Sequence, residues 1–245
     1  MLSVNLCGFR AKLRSENWGA GFENLGTRPV QWTERDREIL LALTHKVRLL
    51  SLEQIARTWW NASPVGVASA RKRLATLTAK DSPSSEQFVL RLRVNAHPEL
   101  NLSGPLLTWK PGELTPDFGA LSYRLKNRWT EAIRPTTVYI ATEKAARYFG
   151  GFGGKLRRPL QVTHDLHVAR IYLHLLETDR EAACAWVSEE QFAPERRHQK
   201  LPDAVLRDRN GKVTLVIEFG GSYDTKHVER VHIDCVTRSL PYELW

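Results

Sequence analysis

Residues 202–221 read PDAVLRDRNGKVTLVIEFGG, and this stretch decides the reading of the second half of the chain. Two β-prone runs, 201–208 and 213–221, flank RNGK at 209–212, which predicts a hairpin. Asp203 follows Pro202 at the start of the first strand. Glu218 stands fifteen residues later, at the end of the second. A hairpin of this length brings the two carboxylates together near one sheet edge. Close carboxylates repel each other and usually need a metal or a proton between them. Oxygen ligands suit Mg²⁺ or Mn²⁺. The rival reading is a turn-capping Asp203 and a strand-end Glu218 paired to Arg207 or Arg230.

Working outward from the hairpin, VTHDLHVARIYLHLLETD (162–179) is amphipathic, with Val168, Ile171, Tyr172 and Leu175 on one side, and predicts a helix. A short strand is expected over 184–187. SYDTKHVERVHIDCVTR (222–238) predicts a second helix with Val228, Val231 and Cys235 inward, and PYELW a last strand. The order over 160–245 is α-β-β-β-α-β. A metal-bound carboxylate pair would want a further acid from the preceding helix or strand, for which Asp165, Glu177 and Glu189 are candidates. His164, His167 and His174 have spacings that allow a shared helix face and a transition metal. No Cys or carboxylate completes a recognised ligand spacing, so a surface or partly buried histidine set is the plainer reading. GGFGGKLRRP at 150–159 reads as a glycine-rich linker that closes the first part of the chain.

Residues 31–80 predict three helices. The first opens at Thr33 and carries Ile39, Leu40 and Leu43 at helical spacing. The second opens on the capping box Ser51/Gln54. The third has Ser63 at its cap and Pro64 at its first position. It buries Val67, Ala70, Leu74 and Leu77, and presents Arg71, Lys72, Arg73 and Lys80 on its other face. A short helix, the turn TWWNAS and a basic helix form a helix-turn-helix pattern. Such a helix fits the major groove, where basic side chains reach phosphates and guanine edges. Strands are expected at 86–96, with Arg91 and Arg93, and at 136–141. Their pairing makes the wing of a winged helix. An insertion between them holds a helix at about 116–129 that presents Arg124, Lys126 and Arg128. Residues 142–150 predict a short helix ending at Gly150. Residues 1–30 read as an extended basic arm.

The 245 residues carry 36 Lys+Arg against 27 Asp+Glu, a formal net charge of +9. All of the excess lies in residues 1–150, which hold 22 basic and 13 acidic residues; residues 151–245 hold 14 of each. A local basic surplus is what phosphate neutralisation requires. No apolar run approaches a membrane span and no secretory signal is visible, so a cytoplasmic protein is expected. Cys7, Cys184 and Cys235 are odd in number and widely separated, and offer neither a disulfide framework nor a CxxC metal knuckle. A GxSxG nucleophile motif is absent. Most of the eight tryptophans are expected in the core.

P-D, a spacer, then I-E-F after an α-β lead-in resembles the core of the PD-(D/E)xK restriction-endonuclease-like fold. That motif continues with a Lys two residues after the Glu, where this chain has Gly220. Lys226 or Lys200 would have to take its role. Residues 31–245 also resemble the replication-relaxation family of plasmid and mobile-element proteins, which joins a winged helix to a nuclease-like domain. The matching stretches are TERDREILLAL with SLEQIA, VYIATEKAARYFGG, HDLHVARIYL, and LPDAVLRD with VIEFGGSYDTKHVER.

These readings combine into an α+β expectation: an N-terminal winged helix-turn-helix domain at 31–150, a linker at 151–159, and a small restriction-endonuclease-like α/β domain at 160–245. The function expected is double-stranded DNA binding in plasmid or mobile-element replication, mobilisation or regulation, with the nuclease-like domain inactive or a scaffold. The first alternative is an Mg²⁺- or Mn²⁺-dependent endonuclease with Asp203 and Glu218 as metal ligands and Lys226 as the third catalytic residue. The second is an interaction subunit of a larger complex, and a homodimer fits any of the three.

Overall fold

The computed structural model describes residues 32–78, 87–154, 156, 161–195 and 201–245. The protein is mixed α+β with two sheets. It forms two compact units, one built from 1–93 with 137–157, the other from 94–136 with 158–245. The division differs from the sequence expectation, because the insertion at 94–136 belongs with the C-terminal unit. The arm at 1–30, Lys80 and Lys200 lie outside the described residues.

In the first unit, α1 (Glu34–Leu41) starts at a capping box. The Asp36 N–H donates to Thr33 Oγ1 at 3.2 Å, and the Thr33 N–H donates to Asp36 Oδ2 at 2.8 Å. The helix ends in a π-helical turn, Ala42–Lys46. The strand β1 (Leu50–Ser51) leads directly into α2 (Leu52–Trp59), capped reciprocally by Ser51 and Gln54. Then comes α3 (Pro64–Thr78), where Ser63 Oγ accepts from the Gly66 N–H at 3.1 Å. Ala70, Leu74 and Leu77 of α3 are buried, while Val67 is only half-buried. Gly66 is required by the turn, since a Cβ there would lie 2.1 Å from Asn61 Oδ1 and 2.4 Å from Asn61 O. The strands β2 (Val89–Ala96) and β4 (Arg134–Ala141) complete a sheet of order β1-β4-β2. Leu50 lies opposite Tyr139 in the antiparallel β1–β4 pair.

The helix α5 (Glu143–Phe149) ends on Gly150 at φ 77°. The next residues are not a linker. The Phe152 N–H donates to Thr44 O at 2.7 Å and the Gly154 N–H to Ala141 O at 2.8 Å. A Cβ on Gly151 would sit 2.2 Å from Thr44 O. The glycines let the chain lie flat on its own backbone, so 151–154 pack into the first unit.

In the second unit, α6 (Val162–Thr178) is followed by α7 (Arg180–Ala185) and β5 (Trp186–Ser188). Cys184 therefore lies in a helix, not in the expected strand. Cys235 is a free, buried thiol. A short helix α8 (Glu189–Phe192) precedes β6 (Ala204–Arg207), β7 (Val213–Glu218), α9 (Thr225–Thr237) and β8 (Tyr242–Leu244). With β3 (Leu107–Trp109) the sheet order is β3-β8-β7-β6-β5. The strands β5, β6 and β7 form an antiparallel meander, and β7 and β8 run parallel with α9 as the crossover. The helix α4 (Phe118–Asn127) contributes Leu121 and Leu125 to a core that also holds Trp109, Val205, Val216, Val228, Val231 and Leu244. Each such side chain contributes roughly 1.5–3 kcal/mol by burial. Among the described residues no helix is long and apolar enough to cross a membrane.

Candidate functional site

The register of β6 on β7 pairs Ala204 with Ile217, which sets Asp203 opposite Glu218 at the end of the hairpin. The spacing in the sequence does bring the two together, but each is already engaged. Asp203 Oδ2 accepts from the Phe219 N–H at 2.7 Å, and Oδ1 lies 3.2 Å from His164 Nε2. Glu218 is buried, and its Oε2 accepts from the Tyr223 hydroxyl at 3.2 Å. His164, from α6, has Asp165 Oδ1 3.6 Å from its Nδ1. Burial works against its charge, but Asp203 and Asp165 outweigh it and raise its pKa to about 10. It is an imidazolium held between two carboxylates. The Tyr223 hydroxyl is pushed up by burial, then by the charges of Glu218 and Asp203, and so keeps its proton for Glu218.

A divalent metal does not fit this arrangement. Both Asp203 oxygens have partners and a cation already sits between Asp203 and Asp165. Among the described residues no group of three or more His, Cys, Asp or Glu is placed to hold a metal ion. The motif Lys has no room either, because a Cβ on Gly220 would stand 2.7 and 2.8 Å from the Leu125 methyls and 3.1 Å from Leu244. Lys226 does not replace it. It is exposed in the first turn of α9 and makes no ion pair among the described residues.

The three histidines of α6 do not converge. His167 Nε2 accepts from the Leu100 N–H at 3.0 Å, so its Nδ1 carries the proton and donates to Thr163 O at 2.6 Å. Burial lowers its pKa to about 4, and the neutral ring stacks on Phe219 at 4.8 Å. His174 instead meets Trp245 at 5.5 Å. Glu177 is paired with Arg170, and Arg207 with Glu195, so neither Glu177 nor Arg207 serves the carboxylate pair. Glu189 is joined to Asp203 through its backbone, its N–H donating to Asp203 O at 3.1 Å.

The basic residues separate into two kinds. On α3, Arg71 and Lys72 are exposed, and on β2 Arg91 and Arg93 are exposed between the half-buried Leu90, Leu92 and Val94. None of the four makes an ion pair among the described residues. Arg73 is different and corrects the sequence reading. Its Nε and Nη2 donate to Asp36 Oδ1 and Oδ2 at 2.9 and 2.5 Å. Asp36 is fully buried. Burial opposes its charge, but hydrogen bonds from Arg73 and Thr33 hold its carboxyl below the usual range. Arg73 thus ties α3 to the cap of α1. Arg128 is a second correction. It lies past the end of α4, half-buried, with its guanidinium 4.5 Å over the Phe219 ring and Nη2 donating to Gly221 O at 3.4 Å. Burial lowers its pKa to about 10, so it stays charged. Arg124 and Lys126 are exposed on α4, in the second unit. Trp59 donates to Glu38 at 2.9 Å and Trp60 lies 4.3 Å under Arg35, so both tryptophans of the predicted turn serve packing.

The sequence missed His164 as a partner of Asp203, and the only available signal was an α6 histidine beside an acid. It also missed Tyr223, for which no spacing rule exists. Among known proteins, no family model, no curated protein and no solved structure matches this chain.

Proposed function

We propose that the protein binds double-stranded DNA through its first unit and that its second unit is a nuclease-like scaffold without hydrolytic activity. The observation that carries the reading is the set Arg71, Lys72, Arg91 and Arg93, exposed and without ion partners among the described residues. Unneutralised cations on one helix and one strand are what a phosphate backbone selects. The element order α1-β1-α2-α3-β2-β4 and the sheet order β1-β4-β2 support a winged helix-turn-helix. In that reading α3 enters the major groove and β2 is part of the wing.

For the second unit, the order α6-α7-β5-α8-β6-β7-α9-β8, in which β8 runs parallel to β7 after the α9 crossover, supports a PD-(D/E)xK-like core. Its carboxylates act as structural ties: Asp203 holds β6 to the end of β7 and, through His164, to α6. The resemblance to the replication-relaxation family supports a role in plasmid or mobile-element replication, mobilisation or regulation. The endonuclease alternative is favoured by one observation, the opposition of Asp203 and Glu218 at the hairpin end.

One gel series separates these readings. Supercoiled and linear DNA are incubated with the full chain in Mg²⁺, Mn²⁺ or EDTA, beside Glu218→Ala and the quadruple Ala variant of residues 71, 72, 91 and 93. A shift in every lane without nicking, abolished in the quadruple variant, is expected. Metal-dependent nicking that disappears in Glu218→Ala would overturn the scaffold reading.

A further inference from the structure

Arg128 follows the last residue of α4 and still holds helical backbone angles, so it stands one turn beyond Arg124. Its guanidinium lies 4.5 Å over the Phe219 ring and 5.6 Å over that of Trp129. Nη2 reaches Gly221 O at 3.4 Å, long for a hydrogen bond. The Trp129 indole N–H donates to the same oxygen at 3.2 Å, so that carbonyl has a donor without Arg128. Nε and Nη1 are buried and have no hydrogen-bond partner among the described residues. Among those residues the guanidinium makes no ion pair, and no carboxylate offsets the burial that lowers its pKa. An arginine keeps its charge near neutral pH. A cation is therefore held here with two of its three nitrogens unsatisfied. Such a group is costly to the fold unless an anion completes it.

The surroundings select the anion. Arg124 and Lys126 on α4 are exposed and make no ion pair among the described residues. Three cations at one helix end favour a multiply charged group over a single carboxylate, and the guanidinium fork matches the oxygens of a phosphate. Arg128 is only half-buried and its one polar contact is long, so the guanidinium can turn towards an arriving anion at little cost. We propose that Arg128, backed by the Phe219 and Trp129 rings and with Arg124 one turn away, forms a phosphate-binding site of the second unit. The site is built from the second unit alone and does not depend on the DNA-binding reading of the first. A free phosphate or small phosphoester and a nucleic-acid backbone present the same group, and the test tells them apart.

The first measurement is thermal melting of the full chain in phosphate and in chloride at equal pH and ionic strength, for wild type, Arg128→Met and Arg230→Met. Arg230 is exposed on α9, and its replacement changes net charge equally. Phosphate should raise the melting temperatures of wild type and Arg230→Met by about 2–4 °C more than that of Arg128→Met. The general stabilisation by phosphate acts on all three chains and cancels in the comparison. Calorimetric titration of phosphate into wild type should saturate, and it needs no variant to fold. An equal rise in Arg128→Met, or a titration without saturable heat, overturns the proposal. A random-sequence duplex is then added to the quadruple Ala variant of residues 71, 72, 91 and 93, with and without Arg128→Met. Stabilisation by the duplex that Arg128→Met removes assigns the site to a nucleic-acid backbone, and stabilisation by phosphate alone assigns it to a free phosphate or small phosphoester. A wild-type chain that binds no duplex removes the DNA-binding reading and leaves the phosphate result standing.

Discussion

The two units treat charge in opposite ways. At the hairpin end of the second unit each charged group has a partner inside the chain: His164 sits with Asp203 and Asp165, and Tyr223 donates to Glu218. On α3 and β2 of the first unit, four exposed cations have none among the described residues. A charge that is satisfied internally supports the fold, and a charge left open on the surface is available to a ligand. By that measure the proposed reading makes the motif with the stronger catalytic signature structural and the plainer basic helix the binding surface.

The largest expected effect breaks the comparison at its exception. Arg73→Met removes the partner of the buried Asp36 and should cost about 2–3 kcal/mol in a denaturant melt. Arg71→Met should cost within about 0.5 kcal/mol, as exposed substitutions do. Equal costs would mean that Arg73 is as free as its neighbours. Next in size is Gly220→Lys, which restores the missing motif residue. Leu125 and Leu244 must give way, so a destabilisation of about 1–3 kcal/mol is expected, with no metal-dependent nicking gained. A stable, cleaving Gly220→Lys variant would show that only the lysine was wanting.

Smaller still are two opposed pH effects. His164 has its pKa raised in the folded chain, so its stabilisation is complete below about 6.5 and fades as pH climbs towards about 10. His167 has its pKa lowered, so its stabilisation is present above about 6.5 and is lost as pH falls towards about 4. Denaturant melts of His164→Gln and His167→Gln across pH should converge on wild type at the alkaline end for the first and at the acid end for the second. Convergence at the same end would contradict the protonation states assigned to them.

Much of the fold is legible in the sequence because its signals are local. Thr33, Ser51 and Ser63 cap the helices they are expected to cap, Pro64 opens α3, and Asp208 to Lys212 closes the predicted hairpin through the Asp208 N–H donating to Lys212 O at 3.0 Å. The missed features depend on long-range packing. Arg71, Lys72 and Arg73 are consecutive, and the helical step alone cannot say which one meets Asp36, 37 positions back along the chain. The glycines at 150–154 have the composition of a linker, yet their missing side chains permit close packing on Thr44. The hairpin register places Asp203 opposite Glu218, but His164 reaches Asp203 from a helix whose distance from the hairpin no spacing encodes.

The most direct test of the central claim is the salt dependence of duplex binding by the full chain and by the quadruple Ala variant of residues 71, 72, 91 and 93. If these cations neutralise phosphates, the slope of log affinity against log salt should become shallower by about 0.9 for each phosphate no longer neutralised, up to about 3–4 in all. A variant that keeps the wild-type slope and affinity would contradict the account.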